Sequence, residues 1–263
     1  MSEHKVERAN VLGVGVHALD LASAAQVLSD TVTARKKGYV SVTGVHGVME
    51  ATRDPAFTSI LNRSLLVVAD GMPLVWIGKI QGRSGIARVY GPDLMLKVCE
   101  ASVEKGQTHF LYGGNEGVVE ELRAALVNRY PGIQIVGTYT PPFRPLTQRE
   151  ETQLQDIVSN CSPDFFWVGL STPKQERFMA RYLDELDTRV MIGVGAAFDI
   201  HTGRTKDAPS WIKNLGLQWA HRLMQEPRRL WKRYLMNNPV FLVLMGLQLL
   251  RLREFSLDQS HNS

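Results

Sequence analysis

The apolar positions of this chain follow two periods. Short runs rich in β-branched and aromatic residues read as buried strands: Val40–Val42, Leu65–Ala69, Thr108–Tyr112, Ile133–Val136, Asp164–Val168 and Val190–Ile192. Stretches of helical period lie between them, about Leu21–Lys36 and Val118–Arg129. Strands alternating with helices of that length predict parallel βαβ units, hence a doubly wound α/β sheet flanked by helices. Tyr139–Pro145 carries three prolines and reads as a loop.

The pattern changes after Arg204. Ala208–Gly216 and Leu217–Gln225 read as two short helices, and Pro227 opens a third. Pro239 then begins a separate apolar stretch, Val240–Leu250, too short and too interrupted to span a bilayer. The expected division is a core over 1–204 and a helical appendage over 205–263. Charge sharpens it. Arg204–Glu254 holds ten basic residues against three acidic ones, a surplus of seven in a 263-residue chain whose net charge is +4. Arg228, Arg229, Lys232 and Arg233 precede the apolar stretch directly. A basic helix followed by an apolar one is what an interfacial membrane anchor looks like. The competing reading packs that C-terminal helix on the core or on a sister subunit, which leaves a homo-oligomer open. No nucleic-acid motif or aromatic stacking platform is present, so nucleic acid is not an expected partner.

Cys99 and Cys161 lie far apart without metal spacing and read as structural thiols in a reducing compartment. The polar start Met1–Lys5 has no apolar signal segment behind it, so the chain is expected to be cytoplasmic. The seven histidines are scattered, no Asp-x-Asp pair appears, and no metal site is expected.

The candidate chemistry lies at strand ends. Asp70 follows the Leu65–Ala69 strand, with Gly71 and Pro73 forcing a turn into a helix. Open α/β sheets place ligands there. A carboxylate at that point can be a general base, hold a ribose hydroxyl, or cap the next helix. Glycine-rich turns follow three other strands: Gly113-Gly114 with Gly117, Gly169 before Ser171-Thr172, and Gly193 with Gly195. Each lets backbone N–H groups approach a phosphate, though glycine also serves ordinary turns. Ser171–Glu176 reads as a helix start, with Ser171 or Thr172 as cap, Pro173 at the first position and Glu176 closing a capping box. That leaves Lys174 and Gln175 over. Arg88 precedes a helix with Pro92 and Asp93 in its first turn, and reads as a surface arginine or a phosphate ligand. Asp199 follows the Gly193–Phe198 turn, to hold a base or ribose or to cap.

Taken in order, Asp70-Gly71, Arg88-Val89-x-Gly91-x-Asp93-Leu94, Phe110-Leu111-x-Gly113-Gly114, Pro173-Lys174-Gln175-Glu176, Gly193-Val194-Gly195-x-x-Phe198-Asp199 and Gln225-Glu226-Pro227-Arg228-Arg229-Leu230 resemble the WecG/TagA/CpsF family of bacterial glycosyltransferases, over about Val11–Leu250. The resemblance implies an inverting, metal-independent transferase without a cofactor. It would move a sugar from a UDP-sugar to a polyprenyl-diphosphate-linked acceptor, peripherally, at the inner face of the cytoplasmic membrane. It implies a Rossmann-like core and a C-terminal appendage that completes the active site on the membrane. On it, Asp70 is the general base, Gln175 contacts substrate, Arg88 lies in the pocket and Asp199 helps hold the nucleotide. Arg222 and Arg229, with Lys232, fall where the family's arginines meet diphosphate.

One motif departs. Where the family carries Thr-x-Asn, this chain has Thr43 one place early and His46 in place of the asparagine. Thr43 and His46 are expected to touch substrate. The stretch Val42–Glu50 is more similar to the exopolysaccharide branch, which includes the xanthan-pathway β-1,4-glucosyltransferase. Glucose transfer from UDP-glucose in exopolysaccharide repeat-unit synthesis is therefore expected. The alternative is N-acetylmannosaminyl transfer onto lipid-linked N-acetylglucosamine, with His46 a supporting residue that has no bearing on the donor.

Overall fold

The computed structural model describes residues 6–257; the polar start at 1–5 and the chain end at 258–263 lie outside the described residues. The chain opens with a hairpin, β1 (Arg8–Val11) and β2 (Val14–His17), paired antiparallel. The two-residue turn holds Leu12 at φ 52° and Gly13 at φ 86°. Two positive φ values in succession match the strand twist of a tight hairpin. Then follow α1 (Leu21–Thr33), β3 (Gly38–Thr43), α2 (Val45–Arg53), α3 (Pro55–Asn62), β4 (Leu66–Ala69), α4 (Met72–Ile80), α5 (Gly91–Lys105), β5 (Thr108–Gly113), α6 (Val118–Arg129) and β6 (Gln134–Tyr139). The rest is α7 (Gln148–Cys161), β7 (Phe165–Gly169), α8 (Lys174–Tyr182), β8 (Val190–Gly193), α9 (Ala197–His201), α10 (Ser210–Asn214), α11 (Gln218–Gln225) and α12 (Pro227–Leu249).

Six strands form one sheet in the order β4-β3-β8-β7-β5-β6. The pairs β3–β8, β8–β7, β7–β5 and β5–β6 are all parallel. β3, β4 and β8 are buried at every position, which is why they read as continuous apolar runs and not as alternating ones. β6 ends the sheet and is half exposed. The expected α/β class, a parallel sheet flanked by helices with a C-terminal helix, is what the chain adopts.

Two compact units divide the chain. The first comprises the residues up to Asp20, Val42–Tyr90, and the chain from Asp207 onward. Its core joins Ala9, Val11, Val14 and Val16 of the hairpin to Val48 and Met49 of α2, Phe57 and Leu61 of α3, and Leu74 and Val75 of α4. Phe241 and Met245 of α12 belong to the same core. The second unit, Leu21–Ser41 with Gly91–Lys206, is built on aromatic stacking. Tyr112 stacks between Tyr139 and Phe178, and Phe110 lies on Phe166 at 5.0 Å. Inside it, buried His109 accepts the Trp167 indole N–H on Nδ1 at 3.0 Å. Its Nε2 lies 2.6 Å from Ser102 Oγ.

The tail corrects one expectation. Pro239 does not start a new helix; it sits inside α12, a single element of 23 residues. An interior proline loses a backbone bond and costs about 3 kcal/mol. What offsets it is one buried stripe, Leu230, Asn237, Phe241 and Met245, which runs through the proline at helical spacing. Burying Phe241 and Met245 alone is worth roughly 1.5–3 kcal/mol each. α10 is also shorter than the Ala208–Gly216 helix expected.

Candidate active site

Asp70 stands one residue past the end of β4. Its N–H donates to Thr43 O at 3.0 Å, and Val89 N–H donates to Ala69 O at 2.8 Å, so backbone bonds fix the strand end on both sides. The cap of α4 is Gly71, not Asp70, and Gly71 has no side chain to offer. The cap of α2 is Gly44, again without a side-chain bond. A β-carbon at Gly44 would lie 3.9 Å from Asp70 Oδ2. The carboxylate therefore lies beside the start of α2, a positive helix end that favours negative charge. The Thr43 hydroxyl is buried in the same strand end, with no hydrogen-bond partner.

Tyr90 is a residue that the sequence reading passed over. It is buried, and its hydroxyl donates to Asp207 Oδ1 at 2.9 Å. Burial first, then the Asp70 and Asp207 charges and the Asp207 bond, push its pKa far up, with Arg222 opposing. Tyr90 is thus a fixed neutral donor. Its ring carries two cations: the Arg88 guanidinium at 4.8 Å and Lys213 Nζ at 4.8 Å. Arg88 also donates to Gln218 Oε1 at 3.3 Å, and Lys213 pairs with Asp207. Arg88 is thus a half-buried member of this cluster, not a surface residue.

The arginines of α11 and α12 differ sharply in setting. Arg222 and Arg229 both pair with Glu226, at 3.3 and 2.8 Å. Arg233 is half-buried, and its desolvation pulls its pKa down; Arg222 and Arg229 add to this, while Tyr234 and Asp70 oppose it. The Nε–H groups of Arg222 and Arg233 are buried without a hydrogen-bond acceptor. A buried guanidinium N–H without an acceptor is costly and signals a missing oxygen partner. Arg228 and Lys232 are exposed, Lys232 lying over the Trp231 ring at 5.6 Å.

His46, in α2, turns its Nδ1 toward Asn237 of α12. Arg53 Nη2 donates to Asn237 Oδ1 at 2.7 Å, which fixes the Asn237 amide. Its Nδ2 then faces His46 Nδ1 at 3.2 Å, and Glu50 lies 3.7 Å from the same nitrogen.

The second unit holds the other expected residues. Gly113 has φ 128°, and a β-carbon there would lie 2.6 Å from Gly169 O. Gly114 N–H donates to that same oxygen at 3.1 Å. Close packing of neighbouring strand ends therefore demands glycine at 113 whatever it binds. Gly193 packs against Met179 and Gln175. Gly195 N–H donates to Gln175 Oε1 at 3.0 Å. Gln175 Nε2 in turn donates to Glu176 Oε1 at 3.0 Å, and Thr172 Oγ1 donates to that oxygen at 2.8 Å. The expected capping box is absent: Pro173 occupies the cap of α8, and Thr172 bonds the Glu176 side chain itself. Lys174 is exposed at the first turn of α8, and Asp199 is half-buried in α9. Among the described residues, no cluster of three or more His, Cys, Asp or Glu gathers as for a metal ion. None of the helices described is long and apolar enough to cross a membrane.

Asp70, the Tyr90 cluster and the arginines of α11 and α12 all belong to the first unit. A sequence profile of the Glycosyl transferase WecG/TagA/CpsF family matches residues 9–255. The chain belongs to that family of glycosyl transferases. It is 29% identical over 217 residues, 82% of each chain, to an N-acetylglucosaminyldiphosphoundecaprenol N-acetyl-beta-D-mannosaminyltransferase of Bacillus spizizenii (strain ATCC 23059 / NRRL B-14472 / W23). Proteins of the same name from Bacillus subtilis (strain 168) and Staphylococcus aureus (strain MW2) are 30% and 28% identical over 185 and 192 residues, 70% and 73% of each chain. These relatives overturn the expected glucose transfer in exopolysaccharide synthesis and the placement in the xanthan-type branch. That expectation leaned on His46, whose Nδ1 is turned to Asn237 and Glu50.

Proposed function

We propose that this protein transfers N-acetylmannosamine from its UDP-linked form to N-acetylglucosamine carried on a polyprenyl diphosphate. The relatives' names support the sugar and the acceptor. The carrying observation is Asp70, fixed at a strand end beside a helix start and bearing on both Tyr90 and Arg233. In this proposal Asp70 takes the proton of the acceptor hydroxyl as its oxygen bonds to the anomeric carbon. The bond from that carbon to the diphosphate breaks on the opposite face, and UDP leaves with the electron pair. The buried N–H groups of Arg222 and Arg233 supply acceptor-seeking positive charge for a diphosphate, with Arg88 and Arg229 adding to it. Thr43 offers its hydroxyl to substrate. Lys174 and the turns at Gly113-Gly114 and Gly193–Gly195 serve the nucleotide, Gln175 by holding the Gly195 loop, and Asp199 lies in the same turn region.

The membrane face is α12. Leu235, Met236, Leu242 and Val243 are exposed there, and Arg228, Arg229 and Lys232 stand at its start. We propose that this side lies on an anionic lipid surface, which is where the acceptor is anchored.

The deciding experiment offers the full chain a short-chain prenyl-diphosphate-N-acetylglucosamine with UDP-N-acetylmannosamine, UDP-N-acetylglucosamine or UDP-glucose, and reads the product mass. An N-acetylhexosamine adduct with UDP-N-acetylmannosamine alone is expected. Product from UDP-glucose only, or none from UDP-N-acetylmannosamine, overturns the proposal.

A further inference from the structure

His46 and Asn237 meet across two elements of the first unit that pack on each other, α2 and α12. The bond has a fixed sense. Arg53 only donates, so Asn237 must present Oδ1 to it at 2.7 Å and Nδ2 to His46. His46 Nδ1 is then the acceptor, and the ring proton resides on Nε2. Asn237 is 4% exposed, so the bond is shielded from water and its loss leaves a buried amide short of a partner.

Position gives this contact its meaning. Asn237 is one helical turn after Arg233, on the same face of α12. His46 lies two residues after Gly44, where a β-carbon would lie 3.9 Å from Asp70 Oδ2. The same short link therefore runs from the start of α2, beside Asp70, to the helix turn that carries Arg233.

We infer that His46 is a positioning residue: by fixing Asn237 it sets the arginine-bearing turn of α12 relative to Asp70, and it does not read the donor sugar. This rests on the transferase proposed above. The imidazole does no chemistry; it acts through Asn237 on Arg233 and hence on the lipid-linked diphosphate.

The test is a double-mutant cycle on the full chain with the prenyl-diphosphate acceptor. His46→Ala and Asn237→Ala are each expected to lower kcat/KM for the acceptor roughly tenfold, the worth of one buried hydrogen bond, and to leave the donor KM unchanged. The double variant should be no worse than either single one. His46→Asn, whose amide oxygen can take the Asn237 N–H, should restore most of the loss. Additive losses, a raised donor KM in His46→Ala, or no rescue by His46→Asn overturns the inference. Nitrogen-15 spectra of the His46 ring distinguish its failure from failure of the transferase reading. An unprotonated Nδ1 that shifts in Asn237→Ala supports the link even if no sugar is transferred, and an unchanged ring overturns it.

Discussion

At the scale of single residues, Asp70 stands at a strand end without serving as the cap of the helix that follows. Gly71 takes the cap position of α4, and the Asp70 backbone is already satisfied by Thr43. Asp70→Asn keeps the shape and every backbone bond but removes the basic oxygen. We expect transfer to fall by about 10²–10⁴-fold, the usual worth of a positioned base, with the thermal midpoint unchanged. Stopped assays of product together with a melting curve check this, and turnover within a few-fold of the parent protein refutes the assignment. Asp70 was legible in the sequence because a strand, a glycine and a proline bracket it. Tyr90 was visible only as a letter inside a motif, since nothing local says that a tyrosine will meet an aspartate 117 positions away. Asn237 carried no signal at all: a polar residue in a mostly apolar helix shows its partner only after the chain has folded.

At the scale of elements, parallel strands were legible because burial on both faces makes them uniformly apolar. The β1–β2 hairpin was not, since Leu12 occupies a positive-φ position where asparagine or glycine would have marked the turn. α12 was split at Pro239 because the local cost of proline is visible in sequence and the tertiary stripe that outweighs it is not. That stripe makes a sharp prediction. Phe241→Ala should destabilise the protein by about 3–5 kcal/mol, as for a large buried aromatic. Leu242→Ala, one position on and 70% exposed, should stay within about 0.5 kcal/mol. Urea unfolding of the two variants side by side checks this, and equal losses contradict the packing. The outer side has its own test. Replacing Leu242 and Val243 by glutamine should weaken sedimentation with phosphatidylglycerol vesicles by at least tenfold, since each large apolar side chain buried is worth roughly 1.5–3 kcal/mol. Vesicle binding that is unaltered argues against this face as the lipid contact.

At the scale of the whole molecule, each unit contains a histidine whose pKa the fold lowers. His17 in the first unit accepts the Val67 N–H on Nδ1 at 3.0 Å. Burial, and then the nearby Arg8 charge, lower its pKa to about 4, against a weaker opposing effect of its backbone bond. His109 in the second unit is fully buried between Ser102 and Trp167, and burial lowers its pKa to about 3. Both values lie below the ordinary 6.5, so the unfolded chain takes up these two protons before the folded one does. Their contribution to stability is whole above pH 6.5 and is lost as pH falls through that value toward 4 and 3. The slope is about 1.4 kcal/mol per pH unit for each histidine. Between pH 7.5 and 5.5 each should therefore remove about 1.4 kcal/mol, in a window where ordinary carboxylates stay ionised. His17→Gln keeps an acceptor for the Val67 N–H and abolishes one of the two titrations. Denaturant unfolding at the two pH values should show a smaller acid loss in His17→Gln than in the parent protein, by that same amount. A parent protein equally stable at both pH values would mean that neither ring is held neutral, and with it the buried Trp167–His109–Ser102 chain would have to be redrawn.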